Sequence, residues 1–95
     1  MKTKVIYRIL EGEVLALFPE LPGDYNPATT CLSYMHIGQH GSASVHCGRD
    51  RRAATPAEYA SLHAELTGIG YDLKIAHRFT PADFRSRKAA IEAVA

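Results

Sequence analysis

Residues 5–18 constrain the fold more than any other part of the chain. Residues 5–10 (VIYRIL) are rich in β-branched and aromatic side chains, and residues 13–18 (EVLALF) form a second apolar run. Both compositions favour β-strands. Only Glu11 and Gly12 separate the two runs, and a two-residue connection that contains glycine is typical of a tight hairpin, because glycine tolerates a positive φ. The segment therefore predicts an antiparallel strand pair.

A second strand pair is predicted further along the chain, after a loop with three prolines at residues 19–27. Residues 29–37 predict a third strand, residues 38–41 (GQHG) a turn, and residues 42–47 a short fourth strand. A slip of one residue exchanges the two faces of a strand. A three-residue turn would therefore place Cys31 opposite Cys47, whereas a four-residue turn would place the two thiols on opposite faces.

Two helices and a fifth strand follow. Thr55-Pro56-Ala57-Glu58 combines a threonine N-cap, proline at the first helical position and glutamate at the third, which predicts a capping box. The apolar stripe of this first helix consists of Tyr59, Leu62, Leu66 and Ile69. Residues 71–79 alternate as a strand does, and residues 80–83 (TPAD) repeat the capping pattern before a second helix with Phe84, Ile91 and Val94 on one side.

This order of elements predicts the fold class. Consecutive strands before the helices indicate an α+β protein with a mainly antiparallel sheet of four to five strands and two amphipathic helices on one face. Ninety-five residues fit a single domain, residues 1–95. An uncovered sheet edge would allow two copies to pair as a homodimer.

The charges are unevenly distributed along the chain, although the net charge is only +1. Residues 11–48 contain no lysine or arginine, whereas basic residues collect at the amino terminus, at residues 49–52 and at residues 74–88. The pattern predicts a molecule with one basic side. The amino terminus lacks the pattern of a signal peptide, and no apolar stretch has the length of a membrane span. Two cysteines without an export signal favour reduced thiols and a cytoplasmic location.

Five histidine and cysteine side chains could bind a metal or take part in catalysis. The candidates are Cys31, His36, His40, His46 and Cys47. A zinc site needs three or four converging ligands. His36 and His40 have the separation of a ligand pair on a helix, but Gly38 and Gly41 indicate a strand and a turn, where that separation does not place both side chains on one face. Cys47 could reach His36 or His40 across a hairpin as a nucleophile and base. We expect no cofactor, bound metal or catalytic residue, and a metal-binding protein or a small histidine-dependent enzyme is the third hypothesis.

The turn and its neighbours form the predicted binding surface. Tyr34 and His36 would lie on the exposed face of the third strand, with Gln39 and His40 in the turn. The arginines of the next segment would lie alongside; they are Arg49, Arg51 and Arg52. The same arginines, with Arg78, Arg85, Arg87 and Lys88, could instead form a phosphate-binding strip.

The chain resembles a group of small proteins encoded by bacteriophages and other mobile elements. The resemblance lies in residues 6–8 (IYR), 16–19 (ALFP), 33–40 (SYMHIGQH) and 55–71, and it covers residues 4 to about 79. It implies a bacterial or phage setting and a factor that acts on host machinery, such as an anti-defence protein. It implies no activity, cofactor or catalytic residue.

Together these observations predict a non-enzymatic interaction module. Its target would be a host protein or nucleoprotein complex. It would contact this target through the predicted binding surface, which consists of the turn, the end of the third strand and the adjacent arginines. Nucleic-acid binding through Arg49, Arg51 and Arg52 is the alternative, and it predicts a steep dependence of affinity on salt.

Overall fold

The computed structural model describes residues 2–24, 26–36 and 39–94, without the side chains of Gln39 and Val94. The elements are β1 (Thr3–Leu10), β2 (Glu13–Phe18), β3 (Thr30–Met35), β4 (Gln39–Ser44), α1 (Cys47–Asp50), α2 (Pro56–Gly68), β5 (Leu73–Ile75) and α3 (Pro81–Val94). The five strands form one sheet in the order β4-β3-β2-β1-β5. Among the described strands, only β1 and β5 pair in parallel. The α+β class with a mainly antiparallel sheet is therefore confirmed.

The predicted hairpin and the predicted capping box are both present. Leu10 pairs with Glu13, and the two turn residues between them have φ values of 52° and 82°. Two successive positive φ angles match the right-handed twist of the strands that they join. At the start of α2, the Thr55 hydroxyl accepts a bond from Glu58 N–H, while the Glu58 carboxylate accepts one from Thr55 N–H.

Helix α2 covers one face of the sheet. Leu62 and Leu66 of the helix are buried against side chains of β1, β2 and β3, which are Val5, Tyr7, Ala16, Phe18 and Tyr34. Tyr7 also stacks on Tyr59 of the helix, with ring centroids 4.4 Å apart. The predicted stripe is thus correct through Leu66, while Ile69 lies beyond the end of the helix and is 55% exposed.

The second helix does not share that face, contrary to the prediction. Ile6, Leu15, Leu17 and Cys31 form a second cluster on the opposite face, with Phe79 packed against it. Helix α3 reaches this side through Asp83, which is paired with Lys4 of β1. Lys4 alternates with Val5, so its side chain lies on the side of the second cluster. The described residues of α3 that are fully buried are both charged, Asp83 and Arg87.

The segment after β3 also differs from the prediction. Strand β4 begins at Gln39 rather than at residue 42, and Cys31 pairs with Ala43. Cys47 is the first residue of α1, so it does not lie opposite Cys31 in the sheet. Both cysteines are free thiols, and both pack within the second cluster. Gly38 of the predicted turn lies outside the described residues.

Candidate anion-binding site

Tyr34 does not lie on an exposed face. Its side chain is 2% exposed beneath α2, and its hydroxyl donates a hydrogen bond to the carboxylate of Glu65. The same carboxylate lies 2.9 Å from Nδ1 of His36, whose side chain is 68% exposed. Alternation along β3 correctly placed Tyr34 on the same face as Leu32, but the structure shows that α2 covers this face. Tyr34 therefore offers no surface to a partner.

His40 is exposed but also has an internal partner. Its Nε2 lies 2.8 Å from the hydroxyl of Tyr71, and its ring packs at an angle against Tyr34 with centroids 4.8 Å apart. Phe18 and Tyr71 stack beside it, with centroids 5.0 Å apart. His40 thus completes the rim of an aromatic cluster. The side chain of Gln39, predicted as a contact residue, lies outside the described part of the structure.

The two thiols and His40 lie on opposite faces of the sheet. Cys31 and Cys47 belong to the second cluster, whereas His40 contacts rings of the α2 face. Burial raises the pKa of Cys31 to about 11, so this thiol stays protonated at neutral pH. Within residues 2–24, 26–36 and 39–94, no three histidine, cysteine or acidic side chains are grouped as metal ligands. The geometry thus separates the two thiols from His36 and His40, so Cys47 does not reach either histidine across the hairpin.

Three arginines from separate segments converge on one open pocket. Arg49 belongs to α1, Arg78 to the connection after β5, and Arg87 to α3. The pocket has a volume of about 470 Å³, and Phe79 forms an apolar part of its wall. None of the described residues that line it is acidic. A concave surface lined by positive charges focuses the electrostatic field and attracts anions. Asp50, which pairs with Arg49, and Asp83, whose charge acts on Arg87, offset part of this positive charge.

Arg87 is a buried cation at this pocket. Its side chain is 3% exposed, and it donates hydrogen bonds from Nε to Pro27 O at 2.8 Å and from Nη1 to Pro19 O at 2.7 Å. Its guanidinium also lies 5.7 Å from the centroid of the Phe79 ring. Burial lowers the pKa of Arg87 from its ordinary value, but the guanidinium stays charged at neutral pH. Among the described residues, no acceptor bonds to its Nη2.

The other two arginines lie at the mouth of the pocket. Arg49 donates from Nη2 to His46 Nδ1 and from Nε to Asp50 Oδ1, both at 3.1 Å. The Arg49 and Asp50 side chains are 75% and 58% exposed, and such ion pairs contribute little and are easily exchanged. Arg78 is exposed, and no carboxylate of the described chain pairs with it. Both guanidinium groups are therefore accessible to an anion.

Arg8 holds together the two segments that carry Arg49 and Arg78. Its side chain is buried at 6% exposure, and it donates to Gly48 O from Nε at 3.0 Å and from Nη2 at 2.8 Å. It also donates to His77 O. Gly48 is close to Phe79, because a Cβ atom there would lie 2.5 Å from Cε1 of that ring. Arg8 and Gly48 therefore position the wall of the pocket.

The predicted arginines do not act as one group. Arg52 forms two hydrogen bonds with the Glu58 carboxylate, at 2.8 Å and 2.9 Å, and these bonds raise the pKa of Arg52. Arg51 is exposed and does not line the pocket. Of the three, only Arg49 joins Arg78 and Arg87. The contribution of Phe79 was missed, because strand alternation assigned it to the sheet.

The fold and the site define a single-domain α+β protein with an arginine-lined pocket. Comparisons with family models, with curated proteins and with solved structures found no match for this chain. In the part of the chain that the structure describes, no helix has both the length and the apolar character needed to cross a membrane.

Proposed function

We propose that this protein is a non-enzymatic nucleic-acid-binding protein that contacts phosphate groups through the Arg49, Arg78 and Arg87 pocket. The observation that carries the proposal is the convergence of three guanidinium groups on a pocket whose described lining residues include no acidic side chain. Planar guanidinium groups form paired, charge-assisted hydrogen bonds to phosphate oxygens. Arginine clusters of this kind supply much of the affinity of proteins for nucleic acids.

Further basic side chains lie on or beside the elements that carry the pocket arginines. Arg85 and Lys88 are exposed on the same helix as Arg87, and Arg51 is exposed next to α1. These side chains can follow a phosphate backbone that leaves the pocket. The resemblance to phage-encoded proteins adds the proposal that the nucleic acid belongs to a host or to a host nucleoprotein complex.

Recognition of a host protein is the second candidate function. The observation that favours it is the position of β4 at one end of the sheet, with His40, Gly41, Ser42 and Ser44 exposed. An edge strand offers backbone groups to an added strand from a partner or a second copy. If β4 is the binding element, Ser42→Pro should abolish capture of a specific partner, while Arg78→Gln should leave it unchanged.

Fluorescence anisotropy with a short labelled oligothymidylate over a series of salt concentrations tests the nucleic-acid proposal. Each phosphate contact adds about 0.7 to the slope of log affinity against log salt for a single strand. We therefore expect Arg49→Gln and Arg78→Gln each to reduce the slope by about that amount.

Arg52→Gln is the matched control, because it removes the same charge from a guanidinium that Glu58 already occupies. It should change the slope much less than Arg49→Gln does. Equal effects of the two substitutions would show that binding follows overall charge and not the pocket. Lack of binding by the unaltered protein at low salt would exclude the proposed function.

A further inference from the structure

The depth of Arg87 restricts the kind of phosphate that can reach it. Arg87 is only 3% exposed, yet it lines the pocket, so a group that touches it must enter the pocket. Arg49 and Arg78, in contrast, are exposed at the mouth. An anion bound to all three must therefore project inward from the rest of its molecule.

A phosphodiester within a strand fits this geometry poorly. It has a sugar on each side and only two free oxygens, so both flanking nucleotides would have to follow it inward. A terminal phosphate monoester has one substituent, three free oxygens and a charge of about −2. It can enter with its oxygens facing Arg87 while its single substituent leaves through the mouth.

The volume and the wall of the pocket fit the rest of a nucleotide. Small-molecule pockets commonly have volumes of about 300–1,000 Å³, and this one has about 470 Å³. Phe79 supplies an apolar part of the wall beside the arginines, against which a base or sugar can pack. The pocket therefore combines a charged end for a phosphate with an aromatic wall for a base or sugar.

We infer that the pocket recognises the terminal phosphate monoester of a nucleic-acid strand, with Arg87 as the inner contact and Arg49 and Arg78 as the outer contacts. This inference rests on the proposed nucleic-acid binding but makes a separate claim, because it distinguishes strand ends from strand interiors. A protein that binds only internal phosphates would not sense the chemistry of the end.

Three oligothymidylates test the inference: one with a 5′-phosphate, one with a 3′-phosphate, and one with hydroxyl groups at both ends, each labelled away from the tested end. We expect one phosphorylated strand to bind about tenfold more tightly than the hydroxyl strand, since a charge-assisted hydrogen bond to phosphate is stronger than a neutral one. Arg78→Gln should remove this preference while Arg52→Gln keeps it. Arg87→Lys tests the inner contact. If circular dichroism shows that this variant remains folded, its preference for the phosphorylated strand should be reduced.

An NMR titration with thymidine 5′-monophosphate, with thymidine as control, separates the two proposals. Shifts of the Arg78 and Phe79 amide signals with the monophosphate but not with thymidine would support phosphate binding in the pocket. The same shifts without binding of any oligonucleotide would overturn recognition of a strand. Equal binding of all three strands without a response to the monophosphate would overturn end recognition and leave nucleic-acid binding intact. Failure of every ligand would overturn both.

Discussion

Replacing Asp83 with asparagine removes the charge that joins α3 to the sheet. Both carboxylate oxygens of Asp83 lie 2.9 Å from Nζ of Lys4, and the side chains of Asp83 and Lys4 are 3% and 19% exposed. Asparagine can still accept the bond that Thr80 N–H donates at 2.8 Å, so the substitution tests the ion pair. Leaving one member of a buried pair without its partner costs about 3–5 kcal/mol. Because Lys4 keeps some access to water, we expect a loss of about 2–3 kcal/mol in the free energy of unfolding.

Urea denaturation of Asp83→Asn, Lys4→Met and the double variant measures this interaction. Each single substitution should destabilise the protein, and the double variant should lose at least about 1 kcal/mol less than the sum of the two. Asp72→Asn is the control, since its partner Lys2 lies 3.3 Å away and both side chains are at least 60% exposed. An exposed pair contributes about 0–1 kcal/mol. If Asp83→Asn cost no more than Asp72→Asn and the double variant were additive, the buried pair would not be what holds α3.

Three further predictions concern the capping box and the buried thiol. Thr55→Ala should lower the free energy of unfolding by about 1 kcal/mol in urea denaturation, because it removes the acceptor for Glu58 N–H; Ser61→Ala, at an exposed position of the same helix, should have little effect. The bonds from Arg52 and from Thr55 N–H lower the pKa of Glu58 from 4.5 to about 2. The ionised Glu58 carboxylate therefore contributes fully to stability above about pH 4.5, and this contribution is lost as the pH falls towards 2. Glu58→Gln should flatten the dependence of the free energy of unfolding on pH in that window, and an unchanged profile would refute the assignment. Cys31 should resist alkylation in the folded protein, because it is fully buried and its pKa is raised to about 11, whereas the partly exposed Cys47 should react first. Mass spectrometry of labelled Cys47→Ser protein should show modification of Cys31 only after unfolding. Rapid labelling would contradict the packing of Cys31.

The predicted histidine surface shows where sequence patterns lose information. Alternation along β3 places Tyr34 on one face, but it does not show which face a helix will cover. Helix α2 covers that face, so Tyr34 is buried and bonds to Glu65. His40 remains exposed, yet it contacts Tyr71. Tyr34 and His40, which were expected to meet a partner, therefore bond to other side chains of the same protein.

The amphipathic pattern of α3 was misleading for a related reason. Its apolar residues predicted a helix held by Phe84, Ile91 and Val94, but Phe84 is 36% exposed, while Asp83 and Arg87 are buried. A charged residue in a sequence is normally assigned to solvent. Here, Lys4 and two loop carbonyls compensate the burial of these charges. Partners this distant in sequence leave no periodic signal.

The sequence by itself determined the local structure of this protein: the tight β1–β2 hairpin, the capped start of α2 and, through the order of strands and helices, the α+β class. These features depend on interactions between near neighbours, which composition and spacing record directly. Only the tertiary structure decided the pocket, because Arg49, Arg78 and Arg87 meet through the packing of α1 and α3 around Phe79 and through the bonds of Arg8 to two distant carbonyls. The position of a charge in space depends on contacts between remote segments, and no local pattern encodes them.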